Sequence, residues 1–191
     1  MPGEVLRCER SRRWRIFGGI YLLIILMLSP EMSPMKICDL RLINLYVNRV
    51  RVLERKAAQC TDRPLLLVPI IVPNVEVRLA DWQNMTELHQ GNEILLHLKL
   101  LLNATENVKT PECLYQQLIK ITHNIKETSG LINKALERVS NSSVSVELSL
   151  LPSDGRHIST SDSTEIFNRF LKLLLGKMSL FLHRLKESPC R

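Results

Sequence analysis

Hydrophobic residues recur at steps of three and four positions in four separate segments of the chain, which is the spacing of an amphipathic helix. These segments cover residues 39–60, 86–102, 112–139 and 162–186. The second segment is apolar on almost every side, which is typical of a buried helix. The pattern therefore predicts an all-α domain built from four helices.

The segments between the predicted helices differ in length, and this difference predicts the topology. Residues 61–85 contain three prolines, so they can form an extended crossover or a short strand but not a continuous helix, and Trp82 is expected to anchor their far end in the core. Residues 140–161 are rich in serine and are expected to form a second, mobile connection. A short polar connector over residues 103–110 should make the second and third helices antiparallel neighbours. Two long crossover loops and one short connector predict an up-up-down-down four-helix bundle.

The N-terminal residues have the pattern of a secretory signal. Five arginines between Arg7 and Arg15 precede an uncharged apolar run over residues 16–28. A membrane-spanning helix needs about 20 apolar residues, so this run is short for an anchor and suits a signal peptide. We expect a signal peptide over residues 1–29, cleaved between 28 and 33, and a mature domain over residues 34–191. A retained membrane anchor is the competing interpretation.

The formal net charge of +7 would by itself suggest an acidic partner such as nucleic acid or a membrane surface. The predicted leader, however, holds five arginines and two glutamates, so its removal lowers the charge from +7 to +4. A charge of that size mainly favours solubility. We therefore expect neither nucleic-acid binding nor membrane insertion once the leader is removed.

Cysteines and glycosylation sequons both indicate the secretory pathway. Cys8 lies in the leader, and four cysteines remain in the mature domain: Cys38, Cys60, Cys113 and Cys190. Four cysteines in a secreted chain predict two disulfides, with three possible pairings. The N-glycosylation sequons begin at Asn84, Asn103 and Asn141. We expect a secreted, extracellular glycoprotein.

The sequence carries no motif that would indicate catalysis. It contains no G-x-S-x-G, no H-E-x-x-H and no glycine-rich phosphate loop, and its histidines are scattered. Glu93 and His97 are spaced i, i+4, but no third ligand lies at a suitable spacing, so we interpret them as a side-chain pair and not as a metal site. We expect no enzyme activity, metal or cofactor. A secreted lipid-carrying bundle is an alternative for the leucine-rich second helix, although a closely packed core explains the leucines equally well.

Four features, taken in order, carry a family resemblance. They are Cys38-Asp39-Leu40-Arg41 at the first helix, Val72-Pro73-Asn74-Val75-Glu76-Val77 before Trp82, Leu174-Leu175-Gly176-Lys177 in the last helix, and Cys190. Over residues 34–191 the chain resembles the erythropoietin–thrombopoietin family of class I helical cytokines. Pro111-Glu112-Cys113-Leu114 is similar to the thrombopoietin branch, which has a cysteine at the start of this helix. The erythropoietin branch instead pairs two cysteines close to the end of the first helix.

The resemblance implies the disulfides Cys38–Cys190 and Cys60–Cys113. It implies a secreted, monomeric haematopoietic cytokine without catalytic activity, whose partner is a homodimeric class I cytokine receptor. The thrombopoietin receptor is the first expectation, with JAK-STAT signalling and megakaryocyte and thrombocyte production, and the erythropoietin receptor is the alternative. Because the chain stops one residue after Cys190, we expect a form without the long glycosylated tail of many thrombopoietins.

The resemblance also implies two receptor-binding faces. The first face, on the fourth helix and the first crossover, comprises Glu76, Lys172, Leu175, Gly176 and Lys177. A glycine inside a helix costs stability, so Gly176 suggests either close approach by a partner or simple close packing.

The second face, on the first and third helices, comprises Asp39, Arg41, Leu45 and Tyr46. Two positions depart from the family pattern: Leu175 stands where arginine is usual, and Leu45 stands where arginine or lysine is usual. Those two receptor contacts cannot be ionic in this chain.

Overall fold

A computed structural model of the chain describes residues 40–60, 66, 69–108, 110–140 and 157–187. All of them belong to the compact unit Lys36–Arg191. The predicted signal peptide lies outside the described residues, and so do Cys38, Asp39, Asn141 and Cys190.

The described residues are mostly helical, as predicted. The helices are α1 Leu40–Ala58, α2 Leu79–Asn84, α3 Glu87–Asn107, α4 Glu112–Ser140, α5 Glu165–Leu173 and α6 Ser179–Glu187, with a π-helical segment Leu174–Met178 between the last two. The strands are β1 Ile70–Pro73 and β2 His157–Thr160. Because α5, the π segment and α6 follow one another without a break, they form one element, called the fourth bundle helix below.

Local sequence explains where the helices form and which side they bury. In α1 the apolar positions predicted from the periodicity, among them Ile43, Val47 and Val50, are buried. Two basic residues in the last turn of α1 suit the negative end of the helix dipole. Helix α3 begins after Thr86, whose hydroxyl accepts a hydrogen bond of 3.3 Å from the backbone N–H of His89.

Helix α3 extends further than the sequence indicated. The polar residues from Asn103 onward were expected to form a connector, but the helix continues to Asn107. Ala104 and Thr105 are buried there, and the Thr105 hydroxyl donates to the carbonyl oxygen of Leu102 at 2.7 Å. Tertiary burial therefore keeps these residues helical in spite of their polar composition.

Four long-range contacts establish the bundle topology. The Cys60–Cys113 disulfide, which the resemblance implied, joins the end of α1 to the start of α4. Arg49 and Glu127 form an ion pair of 3.1 Å near the middle of these helices, so α1 and α4 are antiparallel. In the other pair, Lys177 contacts Glu93 and Arg184 contacts Glu87, so the fourth bundle helix runs antiparallel to α3.

The short link between α3 and α4 makes these two helices antiparallel as well. Helices α1 and α3 therefore point one way, and α4 and the fourth bundle helix point the other way. The principal helix contacts join α1 and α3 each to α4 and to the fourth bundle helix. The fold is the predicted up-up-down-down bundle.

A small sheet links the two long crossovers, which adds strand to the predicted all-α fold. Strands β1 and β2 pair antiparallel, with Ile70 opposite Thr160 and Pro73 opposite His157. The first crossover was expected to hold a possible strand, but the serine-rich second connection was not. Besides β2, strand β1 packs mainly on α3 and α5. Both crossovers are thus attached to the same side of the bundle.

Buried aliphatic and aromatic side chains from all four bundle helices form one core, which also takes in Trp82 at the end of the first crossover, as expected. Within the described ranges, every helix is too short or too polar to cross a membrane.

Candidate functional site

The fourth bundle helix is irregular at the position where the first face is expected. The π segment Leu174–Met178 contains Leu175, Gly176 and Lys177. Such single-turn π bulges in an α-helix are rare and often occur at functional sites. These three consecutive residues have three different environments.

Leu175 points to solvent and remains 51% exposed. Lys172, one turn earlier, is also exposed. Both side chains are therefore accessible to a partner.

Gly176 packs against the first crossover. A methyl group added at its Cα would lie 3.2 Å from Cγ2 of Val77, so the glycine permits a close approach between the helix and the crossover. The neighbouring Glu76 is exposed, and its backbone N–H donates to Oδ1 of Asn74 at 3.2 Å. The structure therefore brings Glu76 beside the π segment, and it favours the packing explanation for Gly176.

Lys177 turns into the protein. It is only 5% exposed, its ammonium is ion-paired with Glu93 of α3, and it lies 5.8 Å from the ring centroid of Trp82 in α2. The interpretation of Glu93 and His97 as a pair does not match this geometry, because the Glu93 carboxylate binds Lys177. Little of the Lys177 charge is accessible from solvent.

A stripe of polar residues on α3 surrounds this ion pair. The Gln90 amide donates to the backbone carbonyl of Trp82 at 2.6 Å, which fastens α2 to α3. His97 is buried, its Nδ1 has no hydrogen-bond partner among the described residues, and its pKa is lowered from 6.5 to about 3. Burial is the largest cause, followed by repulsion from Lys177 and from His157. Across the described part of the chain, no cluster of His, Cys, Asp and Glu is placed to hold a metal ion.

The second face lies on α1, next to α4. Arg41 is exposed, Leu45 is 42% exposed and Tyr46 is half-buried. The Arg49 guanidinium lies over the Tyr46 ring, 5.5 Å from its centroid, and also bonds Glu127 at 3.1 Å. The pKa of Tyr46 is raised, first by burial and then by the Glu127 carboxylate, against a lowering effect of Arg49.

Sequence reasoning missed Arg49, Glu127 and His123 at this face. His123 lies 3.2 Å from Glu127, and the two are one helical turn apart, so this part was visible as an i, i+4 pair. The contact between Arg49 and Glu127 joins two helices, and no local pattern in the sequence indicates it.

Two of the predicted glycosylation positions lie within the described residues. Asn84 is the last residue of α2 and Asn103 is in α3, and both side chains are exposed. Asn103 is therefore on a helix and not in the connector where the sequence placed it.

Comparison with known proteins agrees with the helical bundle. A family model described as erythropoietin/thrombopoietin matches residues 35–191. Mouse thrombopoietin is 28% identical over 167 residues, which cover 86% of this chain and 43% of the mouse protein. Rat thrombopoietin is also 28% identical, with 86% of this chain and 47% of the rat protein covered.

Erythropoietin of the fish Epinephelus coioides is 25% identical over 169 residues, with coverage of 86% of this chain and 90% of the fish protein. The chain spans less than half the length of the two rodent thrombopoietins that it matches. Because the family model covers most of the sequence, the chain belongs to the erythropoietin/thrombopoietin family.

Proposed function

We propose that this chain is a haematopoietic cytokine, not an enzyme, and that it brings together two copies of a class I receptor, the thrombopoietin receptor. Through JAK-STAT signalling it would drive megakaryocyte and thrombocyte production. The observation that carries the choice of receptor is the Cys60–Cys113 disulfide, because a cysteine at the start of the third bundle helix is the thrombopoietin pattern. The rodent thrombopoietins among the relatives support the same choice.

Two separate faces suit a ligand that holds two receptor chains. The first face combines exposed residues of the first crossover and the fourth bundle helix, including Glu76, Lys172 and Leu175. The second face offers Arg41, Leu45 and the half-buried Tyr46 on α1. Since the two faces differ in composition, each would bind the same receptor surface with its own affinity.

Leucine at both departures from the family pattern changes the expected chemistry of binding. Leu175 and Leu45 are 51% and 42% exposed, so each would bury apolar area against the receptor where relatives use a cation. The neighbouring cations would then contribute more to the association rate than to the affinity.

The experiment compares two cell lines that differ only in the receptor they carry, thrombopoietin or erythropoietin. The secreted protein should induce receptor-linked kinase signalling in the first line. Leu175→Asp and Leu45→Asp should each reduce signalling at least about tenfold, because each disrupts the centre of one face. Leu96→Asp is the matched control, since Leu96 is also an exposed leucine but lies on α3, outside both faces.

The responses of the two cell lines distinguish the two candidate receptors. A response only in the erythropoietin-receptor line would move the chain to the second candidate, which the alignment with nearly the whole fish erythropoietin favours. Silence in both lines would reject the cytokine proposal.

The same proposal includes secretion after removal of residues 1–29, N-glycosylation, and a second disulfide between Cys38 and Cys190. Intact mass and non-reducing peptide mapping of the protein recovered from the culture medium test all three together. A Cys38–Cys60 peptide would contradict the proposed pairing.

A further inference from the structure

We propose that Lys177 is a positioning residue of the first face: its buried ion pair with Glu93 fixes the π segment and α2 so that neighbouring side chains meet the receptor. Lys177 itself does not touch the receptor. This inference rests on the proposed function, because it concerns how the first face binds.

Burial argues against direct contact by Lys177. Its side chain is 6% exposed and that of Glu93 is 21% exposed, so the ammonium lies beneath the surface and the carboxylate is only partly accessible. The ammonium already has two partners in the protein, the Glu93 carboxylate and the face of the Trp82 ring. A receptor group would have to displace one of them in order to bind the cation.

The position of Lys177 allows it to hold three elements together. Lys177 belongs to the π segment, Glu93 to α3 and Trp82 to α2. The Gln90 amide fastens α2 at the same place through the Trp82 carbonyl. The first crossover runs directly into α2, so whatever fixes α2 also limits the movement of Glu76.

The residues next to Lys177 connect its ion pair to the binding surface. Gly176 contacts the crossover at Val77, and Leu175 is exposed beside it. An inward anchor at Lys177 therefore sets the rotation of the wide π turn, and that rotation decides where Leu175 points.

The Lys177–Glu93 ion pair should lose its positioning effect when either partner is removed. Removing one partner of a buried ion pair leaves the other charge without compensation, whereas removing both together is much less damaging. Lys177→Met and Glu93→Gln should therefore disturb the same elements, although Glu93 lies on α3 and outside both faces.

The test measures binding of the variants to the soluble ectodomains of the thrombopoietin and erythropoietin receptors. Lys177→Met and Glu93→Gln should each weaken binding about tenfold, and the double variant should be no weaker than either single variant, because the two residues act as a unit. Lys99→Met is the control: it makes the same change at an exposed lysine of α3, and it should leave affinity within about twofold.

The association rate distinguishes a positioning role from direct contact with the receptor, because only the loss of direct contact should lower it. Replacing an exposed cation that meets the receptor lowers the association rate and its dependence on salt. Lys172→Met supplies that reference pattern on the first face. Lys177→Met should instead raise the dissociation rate. A loss of affinity in Lys177→Met with no loss in Glu93→Gln would overturn the proposal, as would unchanged affinity in both variants.

Amide hydrogen exchange tests the anchor without any receptor. Exchange in α2 and in the π segment should become faster in both single variants and remain unchanged in Lys99→Met. If the unmodified protein binds neither ectodomain, the proposed function fails, and this arm still decides whether the pair positions the two elements. Unchanged exchange in both variants would overturn the positioning role.

Discussion

His97 makes the stability of the bundle depend on pH in a way that can be calculated. Its imidazole is buried on α3, and its Nδ1 has no hydrogen-bond partner among the described residues. The groups that act on it most strongly after burial are the Lys177 ammonium and His157, and both disfavour a second positive charge. Acidification should therefore destabilise the fold through His97, and the variant His97→Leu removes the imidazole responsible.

The lowered pKa of His97 determines how the free energy of unfolding changes with pH. The pKa of His97 is lowered from 6.5 to about 3, so between these values the unfolded chain takes up a proton that the folded chain does not. The stabilisation is complete above the unfolded pKa and is lost as pH falls, at about 1.4 kcal/mol per pH unit. From pH 7 to pH 5 the loss attributable to this residue is about 2 kcal/mol.

The assay is urea unfolding of the wild type and the variant near pH 7 and near pH 5. His97→Leu should lose about 2 kcal/mol less than the wild type over this interval, whatever its absolute stability. Parallel losses in the wild type and His97→Leu would refute the reasoning.

Two further predictions concern packing and the disulfide. Gly91→Ala should be less stable than Gly130→Ala by about 1–3 kcal/mol in urea unfolding, because both gain helix propensity but only the first forces a methyl group against the Leu136 side chain. Equal stability of the two variants would show that Leu136 moves aside without cost. Replacing Cys60 and Cys113 together by alanine should lower the free energy of unfolding by up to about 4 kcal/mol, since the bond joins cysteines that are 53 positions apart in the sequence. A change below about 1 kcal/mol would contradict the chain-entropy estimate for this bridge.

The helices and the core could be predicted because they depend on local periodicity. Residues such as Ile43, Val47 and Val50 recur at helical steps, and burial follows from which side of the helix they occupy. The topology also followed, because one short and two long connections leave few ways to join four helices. The relation of α1 to α4 was implied by the resemblance through Cys60 and Cys113.

The remaining features depend on contacts between distant parts of the chain. Strand β2 exists because it pairs with β1, and nothing in the local sequence His157-Ile158-Ser159-Thr160 predicts a strand within a serine-rich segment. Lysine is almost never buried without a partner. The partner of Lys177 is Glu93, which lies 84 residues earlier. The resemblance alone assigned the first face to the crossover and the fourth helix, and that assignment stays a prediction, while the inward orientation of Lys177 could not be foreseen from the sequence.

The two proposed faces differ in what supports them. The described residues of the second face belong to one helix, α1, which the Cys60–Cys113 bridge and the Arg49–Glu127 pair fasten to α4. The first face joins a crossover to a π turn, and its geometry depends on the Lys177–Glu93 ion pair, the Gln90–Trp82 hydrogen bond and the close contact at Gly176. A composite surface of this kind can change shape when the crossover shifts locally, whereas a face on one helix moves only with that helix. Since ordering such a surface on binding lowers the affinity, the anchor at Lys177 would strengthen binding at the first face by keeping that surface in place before the receptor arrives.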